Sequence, residues 1–545
     1  MSNDLSTAAR GETTAAAPSE ARAASNGADA LIRTLADNGV TACFANPGTS
    51  EMQFVAALDR EPRMSAVLCL FEGVATGAAD GYGRMADRPA ATLLHLGAGY
   101  ANGGANLHNA RRARTPVVNV VGDHATYHRA YDTPLSSDIA GWAAPNSAWV
   151  RSADHADRVG PLAAEAVTAS LGPPGGCATL ILPADSAWNA TAVRGRALAP
   201  SSPVAPDAER IAEVAAGLRG AKAAGLLIGG RACRARGLAA AARLAAAGVR
   251  VWTETFVARQ RRGAGIFAPA RLAYFGEVAH DELADLDTLV LVEAQAPAAF
   301  FAYPDKPSAL WPEGCRIEML AGVDEAGDVA LEMLADLLEA PPAGPVACAA
   351  APPAPQGDLF PQSAGAAIAR HLPHDAIISD DAVTAGMPIF LQTASAAPHD
   401  WLMLTGGAIG QGIPLAIGAA VACPDRKVVS LNGDGAAMYT VQGLWTIARE
   451  QLDVTVVVFA NGAYKILNVE FGRTGSGRPG PAARRLLDLG RPTIAWTTLA
   501  ESLGVPATRC ETAEAFDAAF ASAMGRRGPR LIEAVMSPPP QRVGA

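Results

Sequence analysis

Short apolar runs rich in β-branched residues alternate along this chain with longer segments in which Ala and Leu recur at helical spacing. The runs at 117–121, 226–228, 289–292, 428–431 and 454–459 carry no polar alternation, so they read as strands buried on both faces. The longer amphipathic segments between them read as helices that cover a parallel sheet. Two stretches break the pattern: 198–206, and 340–356 with Pro341-Pro342 and Pro352-Pro353. Both are too rich in Pro, Ala and Ser to hold regular elements. The expectation is an α/β protein of three doubly wound parallel-sheet domains, at 26–197, 207–339 and 358–540. Residues 1–25 are rich in Ala, Ser, Thr and Glu without helical periodicity or the basic and apolar regions of a secretory signal, and read as a disordered tail.

Composition narrows the function class. The length of 545 residues suits three or four compact units, and a chain that is 50% hydrophobic can fill several cores. A net charge of -9 argues against nucleic-acid and anionic-membrane partners, because a phosphate-binding surface needs excess Lys and Arg. Gly, Pro or charge interrupts every apolar run before the ~18 to 20 residues that a membrane helix requires. The eight cysteines are scattered without a Cys-x-x-Cys pair, and read as buried, reduced thiols of a cytoplasmic protein.

The third piece carries the most specific chemistry. The strand at 427–431 runs into Asn432-Gly433-Asp434-Gly435, and then into a segment with Met438, Val441, Leu444, Trp445 and Ala448 on one helical face. Gly433 and Gly435 let the backbone turn tightly around Asp434, and the N-terminus of such a helix favours a diphosphate. The next strand ends in Ala460-Asn461-Gly462, with Asn461 twenty-seven residues after Asp434. In a parallel strand–helix–strand unit both strand ends lie at one edge of the sheet, so Asp434 and Asn461 can converge on one Mg²⁺ that also meets phosphate oxygens. Gly-Asp-Gly alone is commonly a turn, and Asn-Gly a loop; the pair, each closing an apolar strand, outweighs that reading.

The first piece offers an acid. The apolar run 67–71 ends at Glu72, followed by a small-residue helix with Gly73, Ala75, Gly77, Ala78 and Ala79. A carboxyl in such surroundings is either a solvated helix-start residue or a buried functional acid, and the small residues leave room for something flat to lie close. His95 precedes the turn Gly97-Ala98-Gly99 at the end of another strand, and His124 follows the strand at 117–121; each is a core histidine or a pocket residue.

These segments resemble the thiamine-diphosphate-dependent decarboxylase and acetolactate synthase superfamily. Its signature is Gly-Asp-Gly followed at about this spacing by two asparagines; here Ala460 stands in place of the first. The resemblance implies that Asp434, Asn461 and the Ala463 carbonyl hold Mg²⁺, and that Gly433 and Gly435 approach the diphosphate. The segments 44–51, 72–83 and 94–99 are similar to those of benzoylformate decarboxylases and acetolactate-synthase-like relatives. By that likeness Glu72 is the cofactor-activating acid, Thr49 falls on an active-site serine, and His95 on one of two active-site histidines. Phe301 falls on the second. The segment 405–410 resembles the one that holds the cofactor bent, with the Gly407 carbonyl accepting from its amino group and Ile409 as a stiff wedge between its rings.

The domains are then expected to be pyrimidine-binding, central and diphosphate-binding, in chain order. The expected activity is decarboxylation of a 2-oxo acid, carboligation, or both, in a homodimer or homotetramer with sites at subunit interfaces. Leu467 stands where yeast-type pyruvate decarboxylases carry a glutamate, which argues against that activity. Alternatives are a lyase or synthase for another acyl donor, and a non-catalytic cofactor binder. The pair Gly229-Gly230 leaves FAD possible in the central domain, although it is too short for a dinucleotide fingerprint.

Overall fold

The computed structural model describes residues 25–196 and 202–537. The tail expected at 1–25 lies outside the described residues except for Ser25, as do 198–201 of the first interrupting stretch and 538–540 of the third piece. Each of the three apolar runs of elements forms its own sheet. The first has six parallel strands in the spatial order Ser65–Leu68, Ala42–Asn46, Ala90–Leu94, Val117–Asp123, Cys177–Pro183 and Trp149–Ser152. The second has five, in the order Ala270–Arg271, Arg250–Thr253, Ala224–Ile228, Thr288–Val292 and Arg316–Ala321. The third runs Ala507–Cys510, Arg530–Val535, Val454–Ala460, Val428–Gly433, Ile377–Asp381 and His399–Leu402, all parallel, and ends in Gln260–Arg262, which is antiparallel.

Strand order sets where ligands can enter. Each sheet has one pair of neighbouring strands from which the chain departs in opposite directions, opening a crevice beyond their C-terminal ends. In the first domain these are Ala42–Asn46 and Ala90–Leu94; in the central one Ala224–Ile228 and Thr288–Val292; in the third Ile377–Asp381 and Val428–Gly433.

The edge strand Gln260–Arg262 departs from the three-piece reading, since it lies within the middle piece of sequence but pairs with His399–Leu402 of the third sheet. Its Arg262 is buried over the Phe390 ring, 3.2 Å from the centroid, so the three-residue run carries too little apolar pattern to be read as a strand.

The helix Glu72–Ala86 packs along Gly412–Ala422 of the third domain, and the small residues serve that packing. A Cβ at Gly81 would collide with the Leu415 carbonyl, and one at Gly418 with the Ala78 carbonyl, so the two backbones approach as only glycine allows. The expectation that these small residues make room for a flat ligand is therefore corrected: a helix fills the space. One apolar core runs across this contact, from Val74 and Ala78 to Ile413, Leu415 and Leu444.

Beside the core lies a buried ion pair that ties three domains. Arg84 meets both Asp80 oxygens, at 2.8 and 2.7 Å, and donates to the carbonyls of Met403 at 2.7 Å and Ala258 at 3.1 Å. Gln411 Nε2 donates to Asp80 at 2.7 Å from the other side.

Among the described residues no helix is long and apolar enough to cross a membrane. The cysteines are free, as expected, but only five are buried: Cys348 is exposed, and Cys315 and Cys423 are half-buried.

Candidate functional site

A cavity of about 690 Å³ opens at the crevice of the third domain. Its walls come from the ends of three neighbouring strands: Ala382 and Val383, then Gly433, Asp434 and Gly435, then Asn461 and Ala463, with Ile409 reaching in from a loop. Asp434 is only 4% exposed, and among the described residues no Lys or Arg pairs with it. Its carboxylate is held by backbone alone: Oδ2 accepts from the N–H of Asn461 at 3.1 Å and Gly462 at 2.7 Å, and Oδ1 accepts from Gly435 at 2.9 Å. Burial raises its pKa, and the three N–H groups pull the other way. A buried carboxylate without a cation, beside the Asn461 amide oxygen, is a donor set that suits a hard divalent ion. Asn461 Oδ1 accepts from the Ala463 N–H at 2.9 Å, and the Ala463 carbonyl accepts from Lys465 at 2.8 Å. Each of these oxygens keeps a second lone pair.

The helix expected after Asp434 is broken. It comprises Asp434–Ala437, a 3₁₀ turn Met438–Thr440, and Gly443–Arg449. Thr440 Oγ1 donates to the Gly410 carbonyl at 2.8 Å and the Tyr439 side chain lies against Gly410, which bends the chain and turns Met438 outward to 41% exposure. A four-residue helix has little macrodipole, and the Gly435 N–H is already taken by Asp434. The dipole argument for a diphosphate thus weakens, while the strand-end convergence stands.

Val383 adds a feature that no sequence pattern announced. It is β-branched yet holds φ +50° at the cavity wall, a conformation such residues rarely adopt. Behind it, Asp381 Oδ2 accepts from the N–H groups of Gly410, Gln411 and Gly412 at 2.8, 3.0 and 3.2 Å. That carboxylate fixes the loop carrying Ile409.

A second cluster lies at the crevice of the first domain. The strand expected at 67–71 is shorter, Ser65–Leu68, and Phe71 caps the helix that Glu72 begins. Glu72 is 6% exposed; its Oε2 accepts from Asn102 Nδ2 at 3.0 Å. Gly99 separates it from His95, since a Cβ there would lie 3.2 Å from Glu72 Oε1 and 3.4 Å from His95 Cβ. His95 Nδ1 lies 2.9 Å from Glu51 Oε2, and Glu51 is buried. Thr49 begins the 3₁₀ turn Thr49–Glu51 and is exposed. Glu51 and Asn102 were not picked out from the sequence, although Glu51 closes the segment 44–51; the signal was an acid three residues after Gly48 at a strand end, the spacing of a capping box.

The structure joins Asp434, Asn461, Ala463, Gly433, Gly435 and Ile409 in one cavity, and Glu72 and His95 in another neighbourhood. Gly407 does not line the cavity: it holds φ +75° and meets the Phe300 ring. Phe300 and Phe301, 4.8 Å apart, extend an aromatic group with Phe256 and Tyr274, and both are exposed. Tyr303 Oη donates to Glu470 at 2.6 Å, which ties this loop to the helix Lys465–Arg473 carrying the exposed Leu467. His124 belongs elsewhere, in a polar cavity of about 460 Å³ with Asp123 and Arg129, and contacts Thr133 at 3.2 Å.

Comparison with known proteins gives these two neighbourhoods a family context. Residues 25–141 match the family described as thiamine pyrophosphate enzyme, N-terminal TPP binding domain, and 386–534 match its C-terminal TPP binding domain. A Mycobacterium tuberculosis protein bearing an acetolactate synthase large subunit name, IlvX, is 53% identical over 513 residues, covering 94% of this chain and 99% of that one. Benzoylformate decarboxylase of Pseudomonas aeruginosa is 27% identical over 531 residues, 92% of this chain and 97% of its own. In fold, the thiamine diphosphate-dependent 4-hydroxybenzoylformate decarboxylase of Rhodococcus jostii RHA1 superposes with a TM-score of 0.79 at 24% identity, covering 94% of this chain and 99% of that one.

Proposed function

Because this chain belongs to the thiamine pyrophosphate enzymes, we propose that it is a cytoplasmic, thiamine-diphosphate- and Mg²⁺-dependent enzyme that decarboxylates 2-oxo acids, ligates the product to a second carbonyl compound, or both. The observation that carries this reading is the buried Asp434 carboxylate, which has no cation partner among the described residues and shares a strand-end cavity with Asn461. Two relatives with acetolactate synthase and benzoylformate decarboxylase names support the substrate class.

When bound, thiamine diphosphate supplies the carbanion and the electron sink needed to break the bond between a carboxylate and a ketone carbon. The chain's own groups bind and move protons around it. Asp434, Asn461 and the Ala463 carbonyl would hold Mg²⁺, whose charge would offset that of the carboxylate and of the diphosphate. The close turn through Gly433 and Gly435 would admit the phosphates and Ile409 would wedge against the rings, while the Gly407 carbonyl, which stands outside the cavity lining beside Phe300, would reach the cofactor's amino group only after a shift of that loop. Glu72 Oε1 would share a proton with the aminopyrimidine ring, since Asn102 occupies only Oε2 and leaves the other oxygen available. His95 moves a proton at the substrate end, oriented by Glu51, and Thr49 contacts the substrate. Burial keeps water from Glu72 and Asp434, and a site closed over the substrate would favour loss of carboxylate charge.

The same geometry supports a site shared by two subunits. The cavity that holds Asp434 is lined by residues 360–537 and includes neither Glu72 nor His95. Exposed apolar side chains flank both halves: Met52 and Leu70 near the first, Met438, Tyr439 and Leu467 near the second. A homodimer or homotetramer would cover them and bring the Glu72 cluster of one subunit over the Asp434 cavity of its neighbour.

The direct test is incubation of the purified protein with thiamine diphosphate, Mg²⁺ and a panel of 2-oxo acids, with CO₂ and products followed by mass spectrometry. Release of CO₂ with an aldehyde or a ligation product is expected. Cofactor binding without turnover of any 2-oxo acid would instead favour another acyl donor or a non-catalytic role.

A further inference from the structure

The central domain has the strand order of a nucleotide-binding fold, and its crevice lies between the ends of Ala224–Ile228 and Thr288–Val292. Gly229 and Gly230 follow the first strand and Glu293 the second. In such folds the glycines and a nearby helix start leave N–H groups free for a phosphate. Here a side chain already occupies that place. Glu293 Oε2 accepts from the Arg231 N–H at 2.7 Å, and Oε1 accepts from the Gly327 N–H at 2.9 Å, at the start of the helix Gly327–Leu337.

Three further observations show that the carboxylate is built in. Glu293 holds φ +50°, a left-handed conformation that a glutamate keeps only when its surroundings enforce it. It is 4% exposed without an ion pair among the described residues. Around it the backbone is cut back to glycine: a Cβ at Gly230, itself at φ +46°, would strike Oε2, and one at Gly327 would lie 2.5 Å from Oε1. Glu254 stands on the other side, with Oε2 2.5 Å from the Cβ position of Gly229. A diphosphate entering this crevice would meet two carboxylates and find both N–H groups taken. The residues present therefore do not fit the FAD left possible by the Gly229-Gly230 pair.

We propose that Glu293 is a resident carboxylate in the place of a nucleotide phosphate, so that the central domain binds neither FAD nor an adenine nucleotide, and that removing it uncovers an anion site. Wild-type protein saturated with thiamine diphosphate and Mg²⁺, so that the Asp434 cavity is filled, is expected to show no flavin absorbance after incubation with FAD and desalting, and its titration with ADP or inorganic phosphate to give no binding heat. Glu293→Ala is expected to gain a phosphate-dependent rise in Tm of roughly 2–4 °C for each tenfold excess over its Kd. Glu293→Gln, which fills the same space and still accepts from one of the two N–H groups, keeps the crevice occupied and is expected to gain none. Stoichiometric flavin or ADP on the wild-type protein would overturn the proposal. So would a folded alanine variant without a phosphate response, or a phosphate response of equal size in the glutamine variant. Should the alanine variant fail to fold, the wild-type and glutamine measurements still decide the nucleotide question.

Discussion

Glu51 Oε2 lies 2.9 Å from His95 Nδ1 and accepts the Gly48 N–H at 2.8 Å, while Ser50 Oγ donates to Oε1 at 2.6 Å. An ionised carboxylate has no proton to give, so it accepts from the imidazole; this holds the proton on Nδ1 and leaves the Nε2 lone pair free for the proton transfer proposed for His95. Glu51→Leu removes this acceptor. Nothing then holds the ring proton on Nδ1, and the imidazole can carry it on Nε2, where it occupies the lone pair. The expected result is a fall of about 100-fold in kcat/KM with cofactor affinity unchanged. Nitrogen NMR of His95 should show the exchanged tautomer; an unchanged tautomer with full activity would remove Glu51 from this role.

Glu72 is tested by a substitution that preserves shape. In Glu72→Gln the Asn102 contact has a carbonyl oxygen to reach, so folding and thiamine diphosphate binding are expected to survive. What disappears is the exchangeable acid. Exchange of the cofactor's C2 proton, read by acid-quench NMR, is expected to slow at least ~100-fold. A wild-type exchange rate would exclude Glu72 from the proton relay whatever overall turnover does.

Asp434→Ala removes the only carboxylate lining the cavity among the described residues. Mg²⁺ and thiamine diphosphate together should raise the Tm of the wild-type protein and leave that of the variant nearly unmoved, because ligand stabilisation scales with affinity. Equal shifts for the two proteins would place the metal elsewhere.

Why some of this was readable in advance and some was not follows from the range of the interactions. Asp434 and Asn461 are found from sequence because two apolar strands end in them, and adjacent parallel strands must bring their ends together. The role of Gly77 and Ala78 was misread because their partner helix lies more than three hundred residues away, and small residues look the same whether they admit a ligand or a backbone. Glu293 and Val383 were invisible for another reason: their left-handed backbone is imposed by tertiary contacts and leaves no trace in residue type. The broken helix after Asp434 shows a third limit, since helical periodicity from Val441 to Ala448 is satisfied even when a turn before it is unwound.

The Arg84–Asp80 pair is buried, with side chains 2% and 0% exposed, and it connects all three domains through the Met403 and Ala258 carbonyls. Arg84→Ala strands the Asp80 charge with only Thr115 and Gln411 as donors. A loss of about 3–5 kcal/mol is expected, the cost of leaving one partner of a buried pair alone. Arg84→Lys keeps the charge but not the two-pronged contact, and should fall between. Urea midpoints of the three proteins check this; a difference within error between alanine and wild type would mean the junction is dispensable.

Asp381 gives the protein a predictable response to pH. Burial, with Asp380 beside it, pushes its pKa up from 3.8 to about 7 against the pull of the Gly410, Gln411 and Gly412 N–H groups. Its Oδ1 has no hydrogen-bond partner, so the protonated form suits that oxygen better than the charged one. In the unfolded chain the same group ionises near its ordinary value. Between about pH 4 and 7 the folded state therefore holds more protons, and this group's contribution to stability is complete at low pH and is lost as pH rises through the folded pKa. The loss is on the order of 4 kcal/mol, and above pH 7 it is constant. Asp381→Asn keeps an oxygen for the three N–H groups but does not titrate. The stability difference between variant and wild type is thus expected to shift in favour of asparagine as pH is raised from 5 to 7, and to level off at pH 8. Urea midpoints taken at each pH measure that difference directly. A difference that stays flat from pH 5 to 8 would show that Asp381 ionises in the folded protein as it does in the unfolded chain, and the loop carrying Ile409 would then be held by a charged carboxylate.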